Sequence, residues 1–242
     1  MTLLDLTLPT PAENLACDEA LLDAAESGAG GEVLRFWESP EYFVVVGYAN
    51  KVATEVNVAA CEARGIPILR RCSGGGTVVQ GPGCLNYALV LRITEASPTH
   101  SISAANQFIM ERNRKAIKSA IGNRQSAISA RGHTDLAIGG LKFSGNSQRR
   151  RKHFLLFHGT FLLNFDLPLV GELLLMPAKQ PDYRNRRSHG EFITNLNAPA
   201  TAVKEALRQA WQASDEPAQA PPHEIKRLAT EKYLSSEWNR KF

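Results

Sequence analysis

Two short stretches of this chain carry residue types that do chemistry. The first is Arg70-Arg71-Cys72-Ser73-Gly74-Gly75-Gly76-Thr77-Val78. Three consecutive glycines after an apolar strand are costly in conformational entropy, so either the backbone takes positive φ there or a ligand approaches where a Cβ would obstruct it. The two arginines ahead of the loop add fixed charge and forked donors suited to phosphate or carboxylate. No Gly-Lys-Ser/Thr follows, so this is not a P-loop. Thr77-Val78-Val79-Gln80 reads as strand and not as a helix start, so it is not a dinucleotide turn either. A tight turn with incidental arginines and an anion-binding nest of backbone N–H groups remain, and the arginines favour the nest. The second stretch runs from Gly132-His133-Thr134-Asp135-Leu136 through Lys142-Phe143-Ser144-Gly145-Asn146-Ser147-Gln148-Arg149 to His158-Gly159-Thr160. Lys142 lies between apolar residues, and an ammonium buried without a partner is costly. It therefore either captures an anion or sits on the solvent face of an edge strand. The small and amide residues behind it make room for a ligand.

These residues need elements to position them. Apolar spacing predicts a helix over residues 12–27, stopped by Gly28, and others over 58–64, 103–120, 203–212 and 224–238. Residues 33–37 and 42–46 read as two strands paired across a Ser39-Pro40 turn. Further strands are expected over 66–71, 85–93 and 154–165, and Gly139-Gly140 signals a two-residue hairpin that carries Lys142 on its far arm. Residues 214–222 have linker composition, which divides the chain into a core (1–213), a connector and a terminal helix (223–242), all within one domain. Strands and helices mix without regular βαβ alternation, which argues for an α+β fold, a mixed sheet flanked by helices.

The bulk composition narrows the class. A chain of 242 residues, 43% apolar and 21% charged, is ordinary for a globular protein with a buried core. No run approaches the ~20 consecutive apolar residues of a membrane span, and the first residues show no secretory signal. Cys17, Cys61, Cys72 and Cys84 form no CxxC pair and read as free thiols of a reducing compartment, so the protein is expected in the cytoplasm. The net charge of +4 permits an acidic partner. Basic runs at residues 149–152 and at Arg184, Arg186 and Arg187 are either solvated loops or docking sites. No aromatic platform is interleaved with the first run, so nucleic-acid binding has no support.

Arg-Arg-x-Ser-Gly-Gly-Gly followed by Gly81-Pro82-Gly83-Cys84-Leu85-Asn86-Tyr87 resembles the lipoate–protein ligase A and octanoyltransferase group of the biotin/lipoate ligase superfamily. Asp135, Lys142 and His158-Gly159-Thr160 match that family's later motifs in order and spacing. Ile193-Thr194-Asn195-Leu196 resembles its Val-Thr-Asn-Leu element, and Lys232-Tyr233 with Trp238 resembles the end of its catalytic domain. The resemblance covers nearly the whole chain. It implies a class II synthetase-like fold and an ATP-dependent lipoate ligase: a lipoate (or octanoate) carboxylate attacks the α-phosphate of ATP, and a lysine of a carrier, a lipoyl domain or H-like protein, then attacks the lipoyl-AMP. It also implies a monomer and no tightly bound prosthetic group.

Carried over residue by residue, the resemblance makes Lys142 the catalytic residue, stabilising charge in both steps. Arg71, Ser73, Gly74, Gly75, Gly76, Thr77, Val78, Asn86, Ser144, Gly145, His158, Gly159 and Thr160 would join Lys142 in binding the acyl-adenylate. Asp135 would hold magnesium, a hard cation that prefers oxygen. Arg71 would help seat the phosphates. Phe36, Trp37, Val45 and Val46 are candidates for the apolar tunnel. Three departures stand out. His133-Thr134 replaces the family's Arg-Asn, Gln80 stands where many relatives have His, and no C-terminal accessory domain follows, so activation can depend on a separate partner protein. An octanoyltransferase working from acyl carrier protein is the rival reading. Such enzymes need a cysteine nucleophile, and none of the four cysteines falls in the stretch before Lys142 or in the Thr194-Asn195 region where the family's transferases carry theirs. Cys84 reads as a core residue and Cys72 as pocket-lining. A biotin ligase or a non-catalytic acyl-binding protein fits the motifs less well. If the run at 149–152 is functional, it would dock the acidic surface of a lipoyl domain.

Overall fold

In the computed structural model, which describes residues 1–122, 128–217 and 220–242, the first helix starts where its capping chemistry dictates. The Thr10 side chain accepts from the Glu13 amide while Glu13 reaches back to the Thr10 amide, and Pro11 fits the first helical position. In chain order the elements are β1 (Thr2–Asp5), α1 (Pro11–Glu26), β2 (Val33–Trp37), β3 (Phe43–Val46), α2 (Val52–Glu55), α3 (Val58–Ala63), β4 (Ile68–Arg70), β5 (Val78–Gln80) and β6 (Cys84–Arg92). Then follow α4 (Ile102–Ala120), β7 (Ile128–Arg131), β8 (Asp135–Ile138), β9 (Leu141–Arg150), β10 (Phe154–Leu162), α5 (Leu167–Leu173), α6 (His189–Phe192), α7 (Ala200–Trp211), β11 (Ser214–Pro217), α8 (Pro222–Leu228) and α9 (Ser236–Asn239).

Eight strands form a mixed sheet in the order β11-β1-β2-β6-β10-β9-β8-β7, parallel across β11-β1-β2 and antiparallel beyond. Period-two alternation gives this sheet two apolar faces. On one, Val33, Trp37, Ala88, Val90 and Leu156 pack under α1 and α8. On the other, Leu34, Phe36, Leu85, Tyr87, Leu89 and Phe157 pack under α4 and α7. A second sheet, β4-β3-β5, closes a third cluster with α5. The α+β expectation of a mixed sheet flanked by helices holds. No helix among the described residues is long and apolar enough to cross a membrane.

The expected pairing of residues 33–37 with 42–46 does not occur. β2 sits between β1 and β6 in the large sheet, while β3 belongs to the small one. The Ser39-Pro40 segment is a crossover between sheets, where local sequence marks the break but not the partner. Residues 214–217, expected as connector, add the edge strand β11 beside β1; residues 218–219 lie outside the described residues. The terminal helix is broken into α8, a π turn at Ala229–Tyr233 and α9. The basic run at 149–152 is not a solvated loop. Arg150 donates to the carbonyls of Thr99 and His100, Arg151 pairs with Asp23 at 2.7 Å, and Arg149 lies over the Tyr48 ring.

Candidate active site

Lys142 is aimed by a bulge. Asp135 pairs with Gly145 and Leu136 with Ser144, but Ala137 pairs with Lys142, which leaves Phe143 as an extra residue on β9. A bulge of this kind re-aims the side chain beside it. Lys142 consequently shares a face with Gly145 and Asp135. Its Nζ lies 2.8 Å from Asp135 Oδ1, in a space that Gly145 leaves open, since a β-carbon there would lie 2.7 Å from that nitrogen. The second carboxylate oxygen of Asp135 accepts from the Tyr183 hydroxyl at 2.7 Å. Burial, then the neighbouring Asp135 charge, pushes the Tyr183 hydroxyl far above the usual tyrosine range, so it stays a donor. The segment that carries Tyr183 is itself tied to the hairpin: Arg187 donates to the Gly140 and Tyr183 carbonyls, and the Thr194 amide to the Lys142 carbonyl.

The glycine loop is held by its carbonyls. Ser73 O accepts from the Tyr48 amide, Gly74 O from Arg71 and from Ser147 Oγ, Gly75 O from Asn50, and Gly76 O from Arg71. Gly75 sits at φ +84°, where a side chain would be strained. In a trans peptide the N–H of the next residue points opposite to the carbonyl, so the amides of Gly75, Gly76 and Thr77 turn away from these partners. None of the three donates to another described group, and all three residues line the cleft. Arg71 departs from the role the resemblance implied. Its donors reach Ser73 Oγ, Gly74 O, Gly76 O and Val45 O, so it ties the loop and does not offer a free fork for phosphate. Burial pushes its guanidinium down to about 10.

Behind the loop runs a buried chain that sequence reasoning missed. Arg35 donates to Asp18 Oδ1 at 2.5 Å, Asp18 Oδ2 meets His158 Nδ1 at 3.0 Å, and His158 Nε2 meets Ser73 Oγ at 2.5 Å. Burial alone pushes the Asp18 carboxyl up, but Arg35 and His158 outweigh it and hold it below the usual carboxylate range. The available signal was a charge inside each of two apolar elements, Arg35 in Val-Leu-Arg-Phe-Trp and Asp18 in the middle of α1.

The floor of the site is one row of the large sheet. Strand register places Trp37, Asn86, Thr160, Gly145 and Asp135 side by side across β2, β6, β10, β9 and β8. The Thr160 hydroxyl donates to Asn86 Oδ1 at 2.6 Å and accepts from Gln80 Nε2 at 2.8 Å. The cleft above this row encloses roughly 480 Å³, within the usual range of small-molecule sites. Of the residues singled out by sequence, Arg71, Gly75, Gly76, Thr77, Val78, Asn86, Asp135, Lys142, Ser144, Gly145, His158, Gly159 and Thr160 line it. Ser73 is buried behind the loop, and Gly74 is an exposed loop residue outside the lining. Of the tunnel candidates, Trp37 and Val45 line the cleft. Phe36 faces the opposite side of the sheet and Val46 packs in the third cluster.

No thiol lines the cleft. Cys72, expected there, packs in the core beneath α1. Burial pushes Cys72 and Cys84 up to about 12 and Cys17 to about 11, and raises Cys61. Among the described residues no three or more His, Cys, Asp and Glu side chains cluster as metal ligands. Both oxygens of Asp135 have partners, so it reaches a magnesium only by giving one up.

Residues 10–212 match the family described as the lipoyl protein ligase A/B catalytic domain, and the chain belongs to that family. It is 28% identical over 265 residues to the octanoyltransferase LipM of Halalkalibacterium halodurans, covering 95% of this chain and 94% of that one. It is 29% identical over 174 residues to a putative lipoate-protein ligase A of Aeropyrum pernix, covering 72% of this chain and 61% of that one. Among solved structures it resembles the bipartite lipoate protein ligase of Thermoplasma acidophilum, studied with its E2 lipoyl domain, with TM-score 0.82 at 22% identity over 99% of this chain and 95% of that one. A lipoate-protein ligase A bound with ATP follows the same fold, with TM-score 0.75 at 22% identity over 99% and 98%. The protein is thus an enzyme of the lipoate ligase and octanoyltransferase group.

Proposed function

We propose that this enzyme transfers a lipoyl or octanoyl group to a lysine of a carrier protein, with an acyl-adenylate as the donor. One observation carries the choice of donor: Lys142 faces a cleft into which no thiol opens. A transferase that builds an acyl-enzyme on cysteine lacks its nucleophile here, whereas an acyl-adenylate needs only a polar cradle and a cation. In the transfer step the neutral carrier amine attacks the acyl carbonyl carbon, a C–N bond forms, the C–O bond to the AMP phosphate breaks, and the nitrogen gives up a proton to solvent. The Lys142 ammonium and the amides of Gly75, Gly76 and Thr77 stabilise the negative charge on the acyl and departing phosphate oxygens. The acyl tail extends along the floor row toward Asn86 and Trp37, two to three strands from Gly145, roughly 10–14 Å at the usual strand spacing.

The donor can be made by this enzyme from ATP or delivered to it. The octanoyltransferase relatives favour transfer over intrinsic ATP-dependent activation, and the bipartite Thermoplasma ligase makes a separate partner for activation a natural arrangement. Magnesium would arrive with ATP as part of the substrate; Asp135 is the carboxylate nearest Lys142, and no step here depends on it. The second reading, direct transfer from an acyl thioester on a carrier protein, rests on the same octanoyltransferase relatives. A lipoyl domain is the acceptor expected, and the cytoplasm is its expected location.

The test is the intact mass of an apo lipoyl domain incubated with the enzyme and one of three donors: lipoate with ATP and magnesium, synthetic lipoyl-AMP, or octanoyl carrier protein. Gain with lipoyl-AMP supports the proposal, and additional gain with lipoate and ATP assigns activation to this chain. Gain only from octanoyl carrier protein overturns it in favour of the thioester reading.

A further inference from the structure

Arg71 orients the glycine loop, and Arg71 itself must be oriented. Its Nε donates to Ser73 Oγ at 3.1 Å. Ser73 is 1% exposed, and its hydroxyl also meets His158 Nε2 at 2.5 Å. His158 Nδ1 lies against Asp18, and Asp18 against Arg35, which is fully buried. Arg35 is fixed in turn, donating also to the Asn14 carbonyl at 2.8 Å and to Asn14 Oδ1 at 2.8 Å.

Each contact in this chain has one polarity. Asp18 accepts from Arg35 and from His158 Nδ1–H. In the neutral ring this leaves Nε2 bare, so it accepts from the Ser73 hydroxyl. Ser73 Oγ, with its own hydrogen committed, is left as the acceptor for Arg71. Arg71 is then held with its remaining donors on the Gly74 and Gly76 carbonyls. We propose that Arg35, Asp18, His158 and Ser73 form a buried positioning relay that sets Arg71 and so keeps the amides of Gly75, Gly76 and Thr77 turned into the cleft. What those amides receive there, the acyl or phosphate oxygen of the donor, rests on the acyl-transfer reading; the relay itself does not. The arrangement shares its hydrogen-bond order with a serine–histidine–aspartate triad, but Ser73 stands behind the loop and not in the cleft. Its hydroxyl acts through Arg71.

The decisive variant is Asp18→Asn, which keeps size and burial but places a donor against His158 Nδ1. The imidazole tautomer then reverses, Nε2–H points at Ser73, and the Ser73 hydrogen loses its acceptor. The imidazole nitrogen shifts and the amide shifts of Gly75, Gly76 and Thr77 are read by NMR on labelled enzyme, beside kcat and KM for the carrier. The expected result is a reversed tautomer, displaced loop amides and a kcat lower by roughly 10- to 100-fold, somewhat below the loss of a whole oxyanion donor, with carrier KM unchanged. Ser73→Ala cuts the far end of the relay while leaving the Arg35–Asp18 pair intact, and it should lose a similar factor. Ser73→Thr should recover most of that loss by restoring the hydroxyl. Asp18→Asn/Ser73→Ala should be no worse than the poorer single variant. Losses that multiply in the double variant overturn the relay. So does a wild-type ring protonated on Nε2 alone, loop amides unmoved by Asp18→Asn, or an acyl adduct found on Ser73. If no donor supports transfer by the wild type, the acyl-transfer reading fails, while the imidazole and amide spectra still decide the relay.

Discussion

The two walls of the cleft are built on opposite principles. The glycine loop offers backbone amides, fixed because every carbonyl from Ser73 to Gly76 accepts a hydrogen bond. The lysine hairpin offers one charged side chain, aimed by a bulge and held by a single carboxylate that Tyr183 shares. On the loop, therefore, chemistry resides in geometry, and side chains matter only as braces. On the hairpin it resides in charge, and the backbone matters only as a mount. Substitutions should separate along this line. On the hairpin, losing the charge should be severe even when the structure is intact. On the loop, changes that displace the backbone should be severe even when no functional group is lost.

The largest effect is expected at Lys142. Lys142→Ala removes the hairpin's ammonium from the cleft, and kcat/KM for transfer should fall by about 10²–10³-fold or more, the scale of losing one preorganised donor. Lys142→Arg should rescue little, because the space over Gly145 fits a compact ammonium and not a planar fork. Rates of lipoyl-domain acylation from lipoyl-AMP, read by mass, measure both. An active Lys142→Arg enzyme would show that charge alone suffices and would sharpen the contrast further. Loss in Lys142→Ala accompanied by global unfolding would break it.

Gly75→Ala is the matching test on the loop. It adds one methyl group and removes no function, yet it forces a side chain to φ +84° with its β-carbon 3.0 Å from the Arg71 guanidinium. A left-handed residue other than glycine costs about 1–2 kcal/mol, which the loop can relieve only by turning its peptides. The expected loss in kcat/KM is roughly 10- to 100-fold on the scale of a misplaced oxyanion donor, with Tm lower by a few degrees. Unchanged kinetics would mean that the loop amides do not touch the reacting group.

How much of this was legible in the sequence follows the same division. The hairpin carrying Lys142 was readable because Gly139-Gly140 is a local signal, and α1 because its capping and spacing are local. The glycine loop announced itself as a nest. What could not be read were the long-range partners. Nothing near Ser39-Pro40 says that residues 33–37 and 42–46 enter different sheets. Nothing in Arg70-Arg71 says that the second arginine faces its own loop. The bulge at Phe143 is invisible without register, though it decides where Lys142 points. Asp18, Arg35 and Tyr183 serve the two motifs only through the fold, and sequence distance hides them.

 Between residues that touch, Asp18 and His158 are 140 positions apart and Tyr183 and Asp135 are 48 apart. No local pattern spans such distances.

A smaller effect is expected from Tyr183→Phe, which leaves Lys142 and Asp135 in place and removes only the hydroxyl that shares the carboxylate. Hydrogen bonds to charged groups contribute about 1.5–3 kcal/mol, and Asp135 keeps its stronger partner, so the rate should fall by about tenfold, at the low end of that range. The loss should appear in kcat for acylation, with Tm nearly unchanged. A Tyr183→Phe enzyme as poor as Lys142→Ala would mean that the hydroxyl itself touches the reacting group, and the hairpin would no longer be a single-charge wall.

The smallest effect belongs to the thiol beside the loop. Cys72 immediately precedes Ser73, yet its side chain packs in the core, and burial pushes its thiol up to about 12. A raised pKa means a scarce thiolate. At pH 8 far fewer molecules carry it than the roughly one quarter of an ordinary exposed cysteine. Cys17 and Cys84 are raised to a similar degree. A thiol reagent should therefore react slowly with the native enzyme at pH 8, about tenfold faster for each pH unit above it while the fold persists, and rapidly with all four cysteines once the chain is unfolded. Cys72→Ala should acylate the carrier within about threefold of wild type, with a stability loss of about 1 kcal/mol for the small volume removed from the core. If a single thiol instead reacted fast and its modification abolished transfer, the loop would be acting through a side chain after all, and the acyl-adenylate reading would give way to an acyl-cysteine one. A backbone cradle predicts the reverse: the thiol beside the loop is a side chain it can do without.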